Sequence, residues 1–202
     1  MNKKLTADYW ENRYLHTDTP WDIGSISRPL KDYFDQLEDK HQVILIPGAG
    51  KAHEAIYLHQ QGFKEVYVCD WAASAFHHLE TVAPDFPKDH IIIGDFFQLD
   101  LKVDLVVEQT FFCALSPSDR PAYVEKVHEL LHPGGSLVGL LFASIFPGEG
   151  PPFGGNAAIY QALFQNHFHI NQMALSPQSI KPRLGNELFI LMEKRKKIQG
   201  NL

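Results

Sequence analysis

The sequence predicts an α/β protein whose seven-stranded sheet is mostly parallel, with one antiparallel strand and helices on both faces. Continuous apolar runs, which are typical of strands buried on both faces, alternate with helical patterns along most of the chain. The last two apolar runs are joined by a loop, which favours a hairpin because a parallel pair requires a longer crossover. A turn containing Gly48 and Gly50 joins the first apolar run to a helical pattern.

The elements follow one another in a regular order. Strands are predicted near 43–46, 65–70, 90–94, 103–109, 135–142, 168–175 and 186–193, and helices near 51–61, 72–82, 119–131 and 156–166. The third helix begins with Ser118 or Asp119 as its cap, and the turn Pro133-Gly134-Gly135 ends it. We interpret 1–202 as one domain with an N-terminal lid or cover (1–40), a core (41–195) and a tail (196–202).

The composition favours a small-molecule partner. The 202 residues are 45% hydrophobic, which is enough for one domain with a substantial core. The 18 basic and 24 acidic side chains give a formal charge of -6, and hence no general attraction to nucleic acid or to anionic membrane. Residues 1–4 lead into polar and aromatic sequence, and no apolar run reaches about 18 residues, so a cytoplasmic protein is predicted.

The cysteines and histidines do not suggest a metal site. Cys69 and Cys113 form no spaced framework and are predicted to be free, buried thiols. The 11 histidines include the adjacent pair His77 and His78, whose side chains cannot share one helix face. We therefore predict no bound metal.

The glycine turn points to a nucleoside. Gly48 and Gly50 allow a tight turn and a close approach of backbone to ligand, and Asp70 ends the next strand about 20 residues later, where an acid can bind ribose hydroxyls. A dinucleotide site needs a third glycine, but His53 occupies that position and Lys51 broadens the turn. A nucleoside without phosphates fits better, and S-adenosyl-L-methionine is the common ligand of that kind. A glycine pair alone fits an ordinary strand cap equally well.

Further candidates follow the other strands. After the third strand, Asp95 is placed to accept a hydrogen bond from an adenine amino group beside Phe96; the alternative is a turn cap followed by a core phenylalanine. After the fourth strand, Gln109 is a candidate neighbour of the cofactor, and Phe112 a candidate wall of the methyl-transfer cavity. Arg120 either pairs with local acids or enters the site, and its charge there would favour an anionic nucleophile.

Two irregular segments frame these candidates. Trp10, Tyr14 and Trp21 precede the first strand and either form a lid over a sulfonium cation or fill a hydrophobic cover. The loop 147–155, rich in Pro and Gly, follows the fifth strand and either shapes an acceptor pocket or is a solvent turn.

Together these segments resemble the thiopurine S-methyltransferase family, and within it the plant thiol and halide methyltransferases. The resemblance extends from about Trp10 to about Lys194. Its most specific motifs are Pro20-Trp21-Asp22, Pro47-Gly48-Ala49-Gly50, Phe111-Phe112-Cys113-Ala114 with Arg120-Pro121, and Gly150-Pro151-Pro152-Phe153. It implies the Rossmann-like fold of class I methyltransferases, with the ligand at the carboxyl ends of the strands.

The resemblance also implies a reaction: methylation of a small soft nucleophile, such as a thiol, bisulfide, halide or thiopurine, by S-adenosyl-L-methionine. Trp10, Tyr14, Trp21, Gly48, Gly50, Asp70, Asp95, Phe96 and Gln109 would surround the cofactor, and Phe112, Arg120 and Phe142 would face the acceptor. Plant members usually have a cysteine in place of Ala49, a tyrosine in place of Phe142 and an Asp-Tyr pair in place of Glu108-Gln109. Alternatives are a methyltransferase for another acceptor, a nicotinamide dehydrogenase and a non-catalytic module that binds S-adenosyl-L-methionine.

Overall fold

The computed structural model describes residues 5–147 and 150–195. Its strands are β1 (Val43–Pro47), β2 (Glu65–Asp70), β3 (Ile91–Ile93), β4 (Val103–Gln109), β5 (Leu131–Phe142), β6 (Phe168–Leu175) and β7 (Glu187–Lys194). Its helices are α1 (Ala7–Leu15), α2 (Arg28–Phe34), α3 (His53–Gln60), α4 (His77–Val82), α5 (Arg120–Leu130) and α6 (Ala157–Phe164). Short 3₁₀ helices lie at Ala73–Phe76, Lys88–His90, Phe96–Gln98, Phe112–Ala114 and Lys181–Arg183. The predicted tail, 196–202, lies outside the described residues.

All seven strands form one sheet in the order β3-β2-β1-β4-β5-β7-β6. The pairs β3–β2, β2–β1, β1–β4 and β4–β5 are parallel, whereas β7 runs antiparallel to both β5 and β6. The predicted fold, with one reversed strand in a mostly parallel sheet, is confirmed. The carboxyl ends of β1 to β4 therefore meet at one edge, where ligands of such sheets bind.

The two faces of the sheet carry separate apolar layers. Leu45 and Val106 pack in the layer that contains the buried residues of α5 and α6, whereas Ile44 and Val107 pack in the layer formed with α2, α3 and α4. Successive side chains of a strand point to opposite faces, so a continuous apolar run supplies both layers. Helices on both faces are thus a direct consequence of the sequence pattern.

The N-terminal region contains helices that the sequence prediction did not include. Helix α1 begins after Thr6, whose side chain accepts a hydrogen bond from the backbone N–H of Tyr9. None of its residues is buried, and its Trp10 and Tyr14, which lie one turn apart, pack against Trp21 and not against the sheet. Helix α2 begins after Ser27 with a proline in its first turn.

The turn at Pro133-Gly134-Gly135 differs from its prediction. Helix α5 ends at Leu130 and β5 begins at once, at Leu131 and not at 135. The strand pairing shifts there, since Val103 is opposite Leu131 while Leu105 is opposite Ser136. The turn residues therefore form an insertion within the β4–β5 pairing. Within 5–147 and 150–195, no helix is both long enough and apolar enough to cross a membrane.

Candidate active site

The glycine turn after β1 has a backbone that other residues cannot adopt freely. Gly48 and Gly50 have φ of +56° and +54°. A Cβ at Gly48 would lie 2.4 Å from Phe111 Cδ2, and a Cβ at Gly50 would lie 2.6 Å from Tyr14 Oη. Left-handed backbone and close neighbours both require glycine. The chain's own aromatic side chains thus pack directly against the turn, one from α1 and one from beyond β4.

Asp70 joins the end of β2 to this turn. Its Oδ2 accepts a hydrogen bond from Gly50 N at 3.0 Å, and its Oδ1 accepts one from Ala72 N at 2.9 Å. Burial raises the pKa of Asp70, while these backbone hydrogen bonds act in the opposite direction. Each carboxylate oxygen accepts about two hydrogen bonds, so Asp70 keeps capacity for further donors. Gly48, Gly50 and Asp70 are therefore brought together as the sequence predicts.

The N-terminal aromatic residues form one cluster beside the turn. The Trp21 ring packs edge-on against Trp10 and Tyr14, with centroids 5.5 and 5.9 Å apart. Burial raises the pKa of Tyr14, whose hydroxyl faces Gly50. Arg183 Nη2 donates a 2.6 Å hydrogen bond to the Trp21 carbonyl. The cluster covers the glycine turn; its action as a lid stays a prediction.

Asp22 attaches this cluster to the turn by charge. Its carboxylate accepts from Lys51 Nζ at 2.6 Å, from His53 Nε2 at 2.9 Å and from Gly24 N at 2.8 Å. Burial alone would raise the pKa of Asp22, but the hydrogen bonds from Lys51, Gly24 and His53 lower it to about 2. Asp22 was not among the predicted site residues. The sequence nevertheless contains a signal for an acid here. Lys51 and His53, the two residues that depart from the pattern of a dinucleotide turn, are both basic and can pair with a carboxylate.

A cleft lies between this N-terminal segment and the glycine turn, and Tyr14, Trp21, Gly48 and Gln109 contribute to its walls. Gln109 Oε1 is buried and has no hydrogen-bond partner within the described chain. A buried acceptor without a donor is costly, so it indicates a group that the protein alone does not supply. Together with the Asp70 carboxylate, it fits a polar nucleoside ligand that carries hydrogen-bond donors.

The contacts of Asp95 and Phe96 are those expected of a turn cap followed by a core phenylalanine. Asp95 Oδ1 accepts from Phe97 N at 3.0 Å and so caps the short helix Phe96–Gln98. Phe96 is buried, with its ring 5.4 Å from Phe111 and 5.5 Å from Tyr123 between centroids. Their predicted role beside an adenine stays a prediction.

On the other side of β4, Arg120 begins α5 and is almost completely buried. Its Nη1 donates to the Gly154 carbonyl at 2.9 Å and its Nη2 to the Phe153 carbonyl at 2.8 Å. The guanidinium lies 4.5 Å from the ring centre of Phe112, which is itself buried. Arg120 Nε has no partner within the described residues. Arg120 thus holds the loop before α6 in place and retains one unused donor.

Phe142 lies at the end of β5 beside a second arginine. Its ring is 4.9 Å from that of Phe146 and 5.7 Å from the guanidinium of Arg183. Nearby, burial raises the pKa of the Cys113 thiol to about 12, which disfavours a thiolate nucleophile. Gly148 and Glu149 of the predicted acceptor loop lie outside the described residues.

Glu108 is a buried residue whose role the sequence analysis did not assign. Its Oε1 accepts from the backbone N–H groups of Phe111 and Phe112 at 2.9 and 2.8 Å, and its Oε2 accepts from Tyr123 Oη at 2.9 Å. Burial raises its pKa to about 7 despite these bonds. Glu108 fixes the segment that separates the glycine turn from Arg120. Residues 5–147 and 150–195 contain no group of three or more His, Cys, Asp or Glu placed to hold a metal ion.

Known proteins resemble this chain over most of its length. A family model described as Thiopurine S-methyltransferase (TPMT) matches residues 5–197. "Probable thiol methyltransferase 2" of Arabidopsis thaliana is 26% identical, covering 88% of this chain and 81% of that protein. "Thiopurine S-methyltransferase" of Vibrio vulnificus is also 26% identical, covering 83% of this chain and 84% of that protein.

Solved structures share the fold. The 1,6-didemethyltoxoflavin-N1-methyltransferase of Burkholderia thailandensis, with bound S-adenosylhomocysteine, superposes with a TM-score of 0.76 at 18% identity, covering 94% of this chain and 87% of that one. The magnesium protoporphyrin IX methyltransferase of Synechocystis PCC 6803, with bound S-adenosylmethionine, has a TM-score of 0.72 at 15% identity, covering 96% of this chain and 100% of that one. Both comparisons show a shared fold.

Proposed function

Because the chain belongs to the thiopurine S-methyltransferase family, we propose that it transfers the methyl group of S-adenosyl-L-methionine to a small thiol, in its thiolate form. The observation that carries the proposal is the junction of the glycine turn with Asp70, whose Oδ2 accepts from Gly50 N at 3.0 Å. This junction places a carboxylate and a left-handed turn together at the edge of the sheet where such ligands bind.

The donor side binds and shields the cofactor. Asp70 offers its remaining lone pairs to the ribose hydroxyls, and Trp10, Tyr14 and Trp21 cover the turn with aromatic faces that favour a cation. Asp95, Phe96 and Gln109 complete this side in our proposal. When bound, S-adenosyl-L-methionine supplies an electrophilic methyl group on a positively charged sulfur.

The acceptor side attracts an anion and excludes water. Arg120 is positively charged, buried against Phe112, and keeps one N–H without a partner in the described chain. A thiolate that meets this charge is desolvated and aligned, and opposite charges that merge in the transition state need no general base. Cys113 takes no part, because its raised pKa keeps it a neutral thiol.

The relatives support a sulfur acceptor. The relative from Arabidopsis thaliana is named a probable thiol methyltransferase, and that from Vibrio vulnificus a thiopurine S-methyltransferase. Phe142 has no hydroxyl to donate to a bare halide, whereas its ring suits the apolar part of an organic thiol. We therefore expect a higher kcat/KM for thiols than for halides or thiocyanate.

The test is a methyl-transfer assay with isotope-labelled donor against thiols, bisulfide, thiopurines, iodide and thiocyanate. We expect labelled thioether from thiols at a higher kcat/KM than any product from iodide or thiocyanate. Calorimetry with the donor runs in parallel. Donor binding without product from any acceptor would identify a non-catalytic binding module, and absence of donor binding would reject the proposal as a whole.

A further inference from the structure

Glu54, in the first turn of α3, is a buried carboxylate that faces the cleft beside the glycine turn. It is only 6% exposed. Ser27 N donates to its Oε1 over a long 3.3 Å, and the backbone N–H of Glu54 itself also acts on the carboxylate. Among residues 5–147 and 150–195, no lysine, arginine or histidine lies within ion-pair distance of it. Burial raises its pKa, and an unpaired buried carboxylate is costly.

The basic side chains next to it are already engaged. Lys51 Nζ and His53 Nε2 both bind Asp22, at 2.6 and 2.9 Å. The position of Glu54 in the first turn of a helix favours the ionised form, since the N-terminus of a helix attracts negative charge. The Glu54 carboxylate thus has no cation of the described chain in an ion pair with it, although the charge of His53 acts on it from a distance.

Gln109 contributes a second unused acceptor to the same cleft. Its Oε1 is buried without a partner, and the residue lines the cleft together with Glu54. A group that satisfies both must carry a positive charge for the carboxylate and N–H donors for the amide oxygen. A primary ammonium meets both requirements, because it has three donors and one charge. A sulfonium has a charge but no N–H, so it does not satisfy the amide.

On the basis of the function proposed above, we propose that Glu54 and Gln109 bind the α-ammonium group of the methionine part of S-adenosyl-L-methionine. Glu54 supplies the countercharge and Gln109 Oε1 a hydrogen-bond acceptor. The adenosine part then lies toward Asp70, on the other side of Gly50. Glu54 would thus distinguish donors by their amino-acid end, independently of the adenosine.

Calorimetry with three ligands tests this assignment. S-adenosyl-L-methionine carries the ammonium and the sulfonium, S-adenosylhomocysteine carries only the ammonium, and 5′-methylthioadenosine carries neither. For Glu54→Gln, which keeps an acceptor for Ser27 N, we expect the first two ligands to bind about 10- to 100-fold more weakly, the range for a lost charged hydrogen bond. The affinity for 5′-methylthioadenosine should stay within about twofold of the wild type.

Other outcomes would overturn the assignment. Weaker binding of S-adenosyl-L-methionine alone would place the sulfonium beside Glu54, and equal weakening of all three ligands would mean that Glu54 acts through the fold. No change in any ligand would leave the carboxylate without a role in binding.

Gln109→Leu is an independent second variant. It removes an acceptor that has no partner in the free protein, so its Tm without ligand should not fall, while the two ammonium ligands should bind more weakly. Unchanged affinity for both would contradict the role of Gln109. If the wild type binds neither ammonium ligand, the proposed function fails; if it binds both and the variants behave like it, only this inference fails.

Discussion

The proposed donor side, at the glycine turn, and the proposed acceptor side, at Arg120, are built in different ways. On the donor side, the hydrogen bond from Gly50 N to Asp70 joins residues 20 positions apart within one strand–helix–strand unit. On the acceptor side, Arg120 binds the carbonyls of Phe153 and Gly154, which lie 33 and 34 positions away in a separate loop. The comparison teaches that the proposed donor side depends on the backbone of one compact unit, whereas the proposed acceptor side depends on a buried charge that positions a distant loop.

The largest expected effect is at Arg120. Replacement by Met removes the charge and both hydrogen bonds to the loop, so kcat for thiol methylation should fall by about 10²- to 10³-fold, as when a preorganised donor is lost. Donor affinity, measured by calorimetry, should remain near the wild-type value because the glycine turn is untouched.

Arg120→Lys is the matched control. Lysine keeps the charge but cannot donate in a fork to two carbonyls. A recovery of kcat in this variant would assign the effect to charge, and a loss equal to that of Arg120→Met would assign it to the loop. If Arg120→Met weakens donor binding as strongly as it lowers kcat, the division into two sides is wrong.

A smaller effect is expected at Asp70. Asp70→Asn leaves an amide that cannot accept from Gly50, Ala72 and a ribose together, so the affinity for S-adenosyl-L-methionine should fall by about 1–3 kcal/mol, measured by calorimetry. Asp104→Asn is the matched control, because Asp104 Oδ2 also accepts from a backbone N–H, that of Val43, near the opposite ends of the strands. Equal losses in the two variants would remove Asp70 from the donor site.

The smallest expected effect is at Glu108, which lies between the two proposed sides, and it is an effect on stability. Because burial raises the pKa of Glu108 from 4.5 to about 7, the unfolded chain releases this proton at lower pH than the native protein does. The free energy of unfolding should therefore decrease as pH rises from about 4.5 to about 7, and this contribution should be constant above that range.

Glu108→Gln removes that titration. The Tm of the variant relative to the wild type should increase by several degrees across the same pH window. Scanning calorimetry in a series of buffers measures it. A difference in Tm that does not change between pH 4.5 and 8 would show that Glu108 is not protonated near neutrality in the native protein.

The same comparison explains what the sequence predicted well. The strand at Val43–Pro47, the glycine turn and the strand ending at Asp70 lie close to their predicted positions, because each depends on residues near in sequence. The reversed strand was also predictable, since no helical pattern separates the last two apolar runs. Helix α1 was not predicted, because its nine residues are mostly polar or aromatic and resemble an irregular cover as well as a helix.

Contacts between distant segments were beyond the sequence pattern. Nothing near Arg120 specifies that it binds carbonyls in another loop, and nothing near Glu108 specifies that it accepts from Phe111, Phe112 and Tyr123. Glu54 was not among the predicted site residues, because nothing near it in the sequence indicates that it is buried. In all three cases the informative fact is burial of a charge, which depends on how the elements pack.

The hydrogen bond from Arg183 to the Trp21 carbonyl has a consequence for biosynthesis. These residues are 162 positions apart, and Arg183 also contacts Glu187 at the start of the final strand. A ribosome therefore makes the aromatic segment long before it makes Arg183. The bonds from Asp22 to Lys51 and His53 join residues much closer in sequence, so they can form earlier in synthesis, and Arg183 adds its contact to the aromatic segment only when most of the chain has been made.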